Sequence, residues 1–88
     1  MNIENRATKL YLKELAPLQA LKLFDDYKLP TPYKEILTAV CVMRLKDFPA
    51  MDYLEEHHNI RLSYITFRRK TKQALEMFRK SHRLMTQN

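Results

Sequence analysis

Glycine is absent from this chain of 88 residues, and tryptophan is absent as well. A β-rich fold needs glycine in its tight turns and bulges, so the lack of glycine argues against strands. Ala, Leu, Lys, Arg, Glu and Met are abundant, and these residues are good helix formers. The length suits one domain with a small core. We therefore predict an all-α single domain, residues 1–88, of four or five helices.

Cysteine is nearly absent, since Cys41 is the only one. Neither a disulfide framework nor a four-ligand zinc site can be built on it, and a reduced, cytoplasmic compartment fits this usage. Cys41 sits in an apolar helical segment, where a core position is expected. No apolar run approaches the length that spans a membrane, and the N-terminal stretch lacks the apolar region of a signal peptide.

Residues that commonly build catalytic or metal sites are scarce. His57 and His58 stand beside Glu55 and Glu56, but adjacent residues on a helix point about 100° apart and chelate poorly. There is no glycine-rich phosphate loop and no constellation for catalysis. We therefore expect a protein that is not an enzyme, with no catalytic residues, no metal and no cofactor.

Acidic residues are outnumbered, with 10 Asp and Glu against 16 Lys and Arg, for a formal net charge of +6. The excess is concentrated in residues 61–83, which hold eight basic residues and one acid, Glu76. A solvated helix face usually mixes both signs, and this segment does not. The charge favours a polyanionic partner, which can be nucleic acid, an anionic membrane or an acidic protein.

Two helices are predicted before residue 29, with a single helix kinked at Pro17 as the alternative. Their apolar faces are predicted to be Ala7, Leu10, Tyr11 and Leu15 in the first helix and Leu18, Leu21 and Phe24 in the second. The segment "LPTP" is a break, after which Thr31 is predicted to cap a third helix that begins at Pro32.

The third helix is predicted to end around Lys46 and to bury Tyr33, Ile36, Leu37, Val40 and Met43. The segment "DFP" is the next predicted break. It precedes a short helix, "PAMDYLEEHH", whose predicted inward residues are Ala50, Tyr53 and Leu54.

The last helix is predicted to begin after a turn in which Asn59 adopts the left-handed conformation. Ser63 is predicted to cap this helix, which runs to about Arg83. At 100° per residue one narrow seam faces the domain, formed by Phe67, Thr71, Ala74, Leu75 and Phe78. The opposite face presents Ile65, Arg69, Lys72 and Gln73. A short helix, a turn and a long basic helix are typical of a C-terminal helix-turn-helix, here over about residues 49–83, with a plain helical bundle as the alternative.

Two segments resemble the fourth region of bacterial sigma factors and the small sigma-region-4-like regulators of Gram-positive phages. The first is "LPTPYKEILTAV", and the second is "LSYITFRRKTKQALEMFR". In the second segment the residues that match the family pattern are Leu62, Ser63, Thr66, Phe67, Ala74, Leu75, Phe78 and Arg79. The link "EEHHNIR" is longer than in the family and lacks glycine, which predicts a wider turn.

The resemblance covers roughly residues 29–80 and implies a helix-turn-helix DNA-binding region at 29–83. Residues 1–28, an N-terminal helical segment, match nothing specific, and the resemblance implies a stand-alone regulator of a phage or mobile element. It implies a recognition helix at about 63–80 that reads bases through Tyr64, Ile65, Thr66 and Arg69. The residues expected to contact phosphates are Arg61, Ser63, Arg68, Lys70 and Lys72.

The function expected from this resemblance is sequence-specific binding of double-stranded DNA and regulation of transcription. An adaptor that binds RNA polymerase or another regulatory protein is the alternative. Most helix-turn-helix proteins read two half-sites, so a homodimer is a further expectation. Binding to a membrane surface is disfavoured because the apolar seam is committed to the core.

Overall fold

The computed structural model describes residues 2–86, and within that range it contains five α-helices and no strand. The helices are α1 (Ile3–Glu14), α2 (Pro17–Asp26), α3 (Tyr33–Leu37), α4 (Asp47–His58) and α5 (Tyr64–Thr86), and a π-helical turn, Thr38–Val42, directly continues α3. The predicted all-α class is confirmed. None of the helices in the described part of the chain combines the length and the apolar character needed to cross a membrane.

The core forms where α3 and its π-helical turn are packed between α1, α4 and α5. Its largest fully buried side chains include three phenylalanines, Phe24, Phe67 and Phe78. The predicted seam of α5 is confirmed, because all five of its residues are buried. The opposite face of α5 is exposed, as predicted.

The turn between α4 and α5 also follows the prediction. Asn59 has φ 54° and ψ 35°, the left-handed conformation, and it ends α4. The Ser63 hydroxyl accepts a hydrogen bond from the backbone N–H of Thr66 at 3.2 Å, which is the geometry of an N-cap. Residues 59–63 therefore form the short connection between α4 and α5.

The break at Pro17 is confirmed, and Pro17 is the first residue of α2. The predicted buried face of α1 is wrong: Leu10 is 55% exposed, and the buried residues are Asn5, Thr8 and Leu12. This face can be buried although two of its residues are polar, because Arg79 of α5 donates a 2.6 Å hydrogen bond to Asn5 Oδ1 and the Thr8 hydroxyl donates one to the Glu4 carbonyl at 2.9 Å. Ala7 and Tyr11 are exposed as well, while Leu15 packs against the core.

Two predictions for α2 and α3 need correction. Leu18 is 82% exposed, and Ala20 takes the buried position beside Phe24. Thr31 does not cap α3; the cap residue is Pro32, which offers no side-chain hydrogen bond, and the helix begins at Tyr33. The Thr31–Pro32 peptide bond is cis.

The third helix ends earlier than predicted. Helical structure stops at Val42 instead of around Lys46, and Met43 is 42% exposed. The break lies at residues 43–46, where Arg44 has φ 58°. The segment "DFP" is therefore helical and forms the start of α4, where Pro49 is tolerated because N–H groups of a first turn have no partner within the helix.

Cys41 lies in the core, as predicted, and burial raises the pKa of its thiol from the ordinary 9.0 to about 11. The unfolded chain loses this proton first, so the folded state binds more protons between pH 9.0 and about 11. The free energy of unfolding should therefore fall as pH rises through this window. The thiol's share should be roughly 2–3 kcal/mol.

Urea unfolding of wild type and Cys41→Ala across this pH range isolates the thiol, because other titrating groups are common to both proteins. We expect the stability difference between them to be constant below pH 8 and to shrink by roughly 2–3 kcal/mol at the upper end. A difference that does not change with pH would contradict the burial of the thiol.

Candidate nucleic-acid interface

The exposed face of α5 is the first component of the candidate site. Ile65 is 78% exposed, and Arg69 and Lys72 are exposed as well. At 100° per residue these three side chains fall within about 60° of one another around the helix axis. They form a narrow face near the N-terminal end of α5, pointing away from the buried seam.

Tyr64 and Arg68 lie beside this face and are held by Asp47 of α4. Arg68 Nη1 donates hydrogen bonds to Asp47 Oδ2 at 3.1 Å and to Tyr64 Oη at 3.2 Å. Tyr64 Oη in turn donates to Asp47 Oδ2 at 3.4 Å. The hydrogen bonds to Tyr64 and Asp47 raise the pKa of Arg68, which stays charged in any case. The three side chains therefore form one network with a defined orientation.

Two further residues expected to contact DNA, Arg61 and Lys70, interact with other parts of the protein. Arg61 pairs with Glu55 of α4 at 3.0 Å. Lys70 Nζ lies 5.2 Å from the ring centre of Tyr33, on the α3 side of α5. Arg61 and Lys70 therefore contact residues outside the face formed by Ile65, Arg69 and Lys72.

Ser63 and Thr66 form two hydrogen bonds with each other. The Ser63 hydroxyl donates to Thr66 Oγ1 at 2.9 Å while it accepts from the Thr66 backbone. Ser63 is exposed and Thr66 is half-buried. Their main contribution in this arrangement is to fix the start of α5 and so the direction in which Tyr64 and Ile65 point.

A cleft of about 670 Å³ lies between α1 and the N-terminal half of α5. Its wall carries five basic side chains and one carboxylate, that of Asp47. The basic residues are Arg6, Lys9, Arg68, Arg69 and Lys72. α1 therefore contributes two positive charges, those of Arg6 and Lys9, beside the predicted DNA-binding face of α5.

A second cleft, of about 570 Å³, adjoins the first, and both are lined by Lys9 and Asp47. Its other basic residues are Lys13, Arg44 and Lys46. The Arg44 guanidinium donates a hydrogen bond to the backbone carbonyl of Lys13, which ties the α3–α4 connection to the end of α1. Phe48 and Pro49 supply an apolar wall.

The two clefts together form a continuous positive region, which we call the basic surface. It consists of Arg6, Lys9, Lys13, Arg44, Lys46, Arg68, Arg69 and Lys72. Asp47 is the one acid that lines either cleft, and it is already paired with Arg68. A surface with so little compensating charge attracts polyanions and raises their rate of association.

Sequence reasoning missed five of these eight residues. A count of charges along the chain hides them, because acids such as Glu4 and Glu14 balance the bases of α1. A usable signal exists nevertheless: Arg6, Lys9 and Lys13 are spaced three and four residues apart, which places them on one helix face. Arg44 and Lys46 carry no such signal, since only the folded connection brings them to α1.

The likeness of "LPTPYKEILTAV" and "LSYITFRRKTKQALEMFR" to sigma region 4 receives no independent support from known proteins. Comparisons of the chain with protein-family models, with curated proteins and with solved structures find no match. The candidate site is therefore defined by its own geometry: a capped, exposed helix start, a carboxylate-held arginine and a basic surface drawn from α1, the α3–α4 connection and α5.

Proposed function

We propose that this protein is a sequence-specific DNA-binding regulator of transcription, related to the sigma-region-4-like helix-turn-helix regulators and acting in the cytoplasm. The observation that carries the proposal is the basic surface, with eight basic side chains and the single carboxylate of Asp47. Nucleic acids are the polyanions that such a surface suits best, because neutralised phosphates release counterions.

The face of α5 supplies the means to read sequence. An α-helix fits the major groove of B-DNA, where each base pair presents a distinct pattern. Arg69 can form a bidentate pair with guanine O6 and N7, and Ile65 can pack against a thymine methyl group. Both are exposed at the N-terminal end of α5, the part of a recognition helix that contacts base edges.

The rest of the basic surface supplies contacts that position the protein without reading sequence. Arg6 and Lys9 on α1 line the cleft with α5, and Lys13 lines the adjoining cleft; all three suit phosphates that border the groove. Lys72 extends the α5 face in the same role. The network with Asp47 fixes Arg68 and Tyr64 in one orientation, so neither side chain has to be ordered when DNA binds.

Arg69 is assigned to contact bases and Lys72 to contact phosphates, so substitutions of these two residues should have different effects. Arg69→Ala should reduce discrimination at one base position by about 1–3 kcal/mol, while Lys72→Ala should weaken all sequences alike and lower the salt slope by roughly one unit. Fluorescence anisotropy titrations of a preferred duplex and its point variants, at several salt concentrations, measure both. Lys22→Ala on α2, which loses an exposed base outside the basic surface, is the matched control and should change neither quantity. Identical behaviour of the first two variants would refute the assigned roles.

A protein-binding adaptor is the second candidate, and exposed apolar residues on the N-terminal helices favour it. Ile3 is 83% exposed, Leu18 82% and Leu10 55%. Such residues suit contact with RNA polymerase, with another regulator or with a second copy of the chain. A pull-down with RNA polymerase, compared between wild type and Leu18→Asp, tests this. The adaptor would be supported if polymerase retains variants that no longer bind DNA but does not retain Leu18→Asp.

A further inference from the structure

Phe48 is an exposed aromatic residue at the edge of the basic surface. Its ring stacks on the ring of Tyr64, with centroids 5.1 Å apart and an interplanar angle of 12°. Even so, 63% of Phe48 remains exposed. Because Tyr64 can cover only one face of the ring, the exposed area includes the opposite face. An aromatic face is therefore open to solvent next to a group of lysines and arginines.

Phe48 lines the second cleft, and the cleft has the chemistry of a nucleotide site. Phe48 and Pro49 form an apolar wall, and four basic side chains surround it. The volume of about 570 Å³ lies within the range of small-ligand sites. Proteins that bind unpaired nucleotides combine these two elements: basic residues follow the phosphates, and aromatic rings stack on the bases.

We propose that the second cleft binds an unpaired nucleotide of DNA, with its base stacked on Phe48 and its phosphates held by Lys13 and Lys46. The inference rests on the proposed function and extends it. Lys9 and Asp47 line both clefts, so a strand that leaves a duplex held at α5 can enter the second cleft without a gap. A base inside a duplex is covered on both faces by its neighbours and cannot stack on Phe48, so the site distinguishes unpaired from paired nucleotides.

The test compares a blunt duplex with the same duplex carrying a short single-stranded overhang, by anisotropy titration. We expect wild type to bind the overhang duplex about tenfold more tightly, which corresponds to one base–aromatic stack. Phe48→Leu should lose this gain and keep its affinity for the blunt duplex, because leucine retains an apolar contact with Tyr64. Phe48→Trp should retain the gain. Tyr53→Leu removes an aromatic ring elsewhere on α4 and serves as the matched control.

A second readout reports stacking itself. With 2-aminopurine in the overhang, binding of wild type should quench its fluorescence, and binding of Phe48→Leu should not. If wild type binds both duplexes equally, or if Phe48→Leu keeps the preference for the overhang, the inference is overturned and duplex binding stands. Absence of binding to either duplex would overturn the proposed function together with this inference.

Discussion

A variant with Lys9, Arg69 and Lys72 all replaced by glutamate is expected to lose at least about a thousandfold in affinity for duplex DNA at physiological salt. The three residues line the cleft between α1 and α5. Their reversal removes the phosphate contacts of Lys9 and Lys72 and the base contact of Arg69, and it places like charges against the DNA, which costs several kcal/mol. The salt slope of any residual binding should be smaller by roughly two units. Anisotropy titrations over a range of salt concentrations measure both effects.

The matched control reverses Lys22, Lys28 and Lys34, which lie outside the basic surface. Each triple reversal lowers the formal net charge from +6 to zero, so the two variants differ in the position of charge and not in its amount. Lys22 and Lys34 pair with Asp26 and Asp25 at exposed positions, where such pairs contribute little to stability. If the control loses as much affinity as the first variant, net charge alone explains binding and the basic surface is not the site.

Phe78→Ala is expected to reduce the free energy of unfolding by about 3–5 kcal/mol, the usual effect of removing a buried phenylalanine. Phe78 is 1% exposed and meets Phe24 edge-on at 5.9 Å between ring centres. It also contacts the rings of Tyr27 at 5.3 Å and His82 at 5.4 Å. Because a domain of this size has a total stability of about 5–15 kcal/mol, the loss is a large part of the whole. Urea unfolding followed by circular dichroism measures it.

Leu84→Ala on the same helix is the control for Phe78→Ala. Leu84 is 64% exposed, so its truncation should change stability by less than about 0.5 kcal/mol. A Phe78→Ala variant that loses less than about 1 kcal/mol would mean that the aromatic cluster does not join α5 to α2 as described.

The parts of the fold that were predictable from sequence are those in which one signal dominates. On α5 the seam of Phe67, Thr71 and Phe78 recurs at helical spacing between charged residues, so a single orientation buries apolar area without burying charge. Asn59 is similarly decisive, because in a turn without glycine it is the residue that best tolerates a positive φ.

The errors have physical causes that the sequence does not display. The inward face of α1 carries Asn5, which accepts a hydrogen bond from Arg79, 74 positions away in the sequence. Apolar periodicity alone favours Leu10 and Tyr11, because it cannot anticipate a distant residue that allows a polar side chain to be buried. The predicted start of α4 is wrong because the prediction places "DFP" in a break, whereas Pro49 occupies the first turn of a helix, a position that tolerates proline.

The candidate site was predictable only in its α5 half. Ile65, Arg69 and Lys72 follow from the outward side of one helix. The sequence pattern places Asp47 and Phe48 in a break, so it predicts neither the network with Arg68 nor the open aromatic face. Both depend on the packing of the first turn of α4 against the start of α5.

The most direct test of the central proposal is selection of bound sequences from a pool of random duplex DNA, followed by sequencing, at two salt concentrations. The proposal predicts an enriched motif that survives at physiological salt, with an affinity that falls as salt rises. The spacing of half-sites in that motif would show whether two copies bind together. Weak binding with no enriched motif, lost at physiological salt, would contradict a sequence-specific regulator.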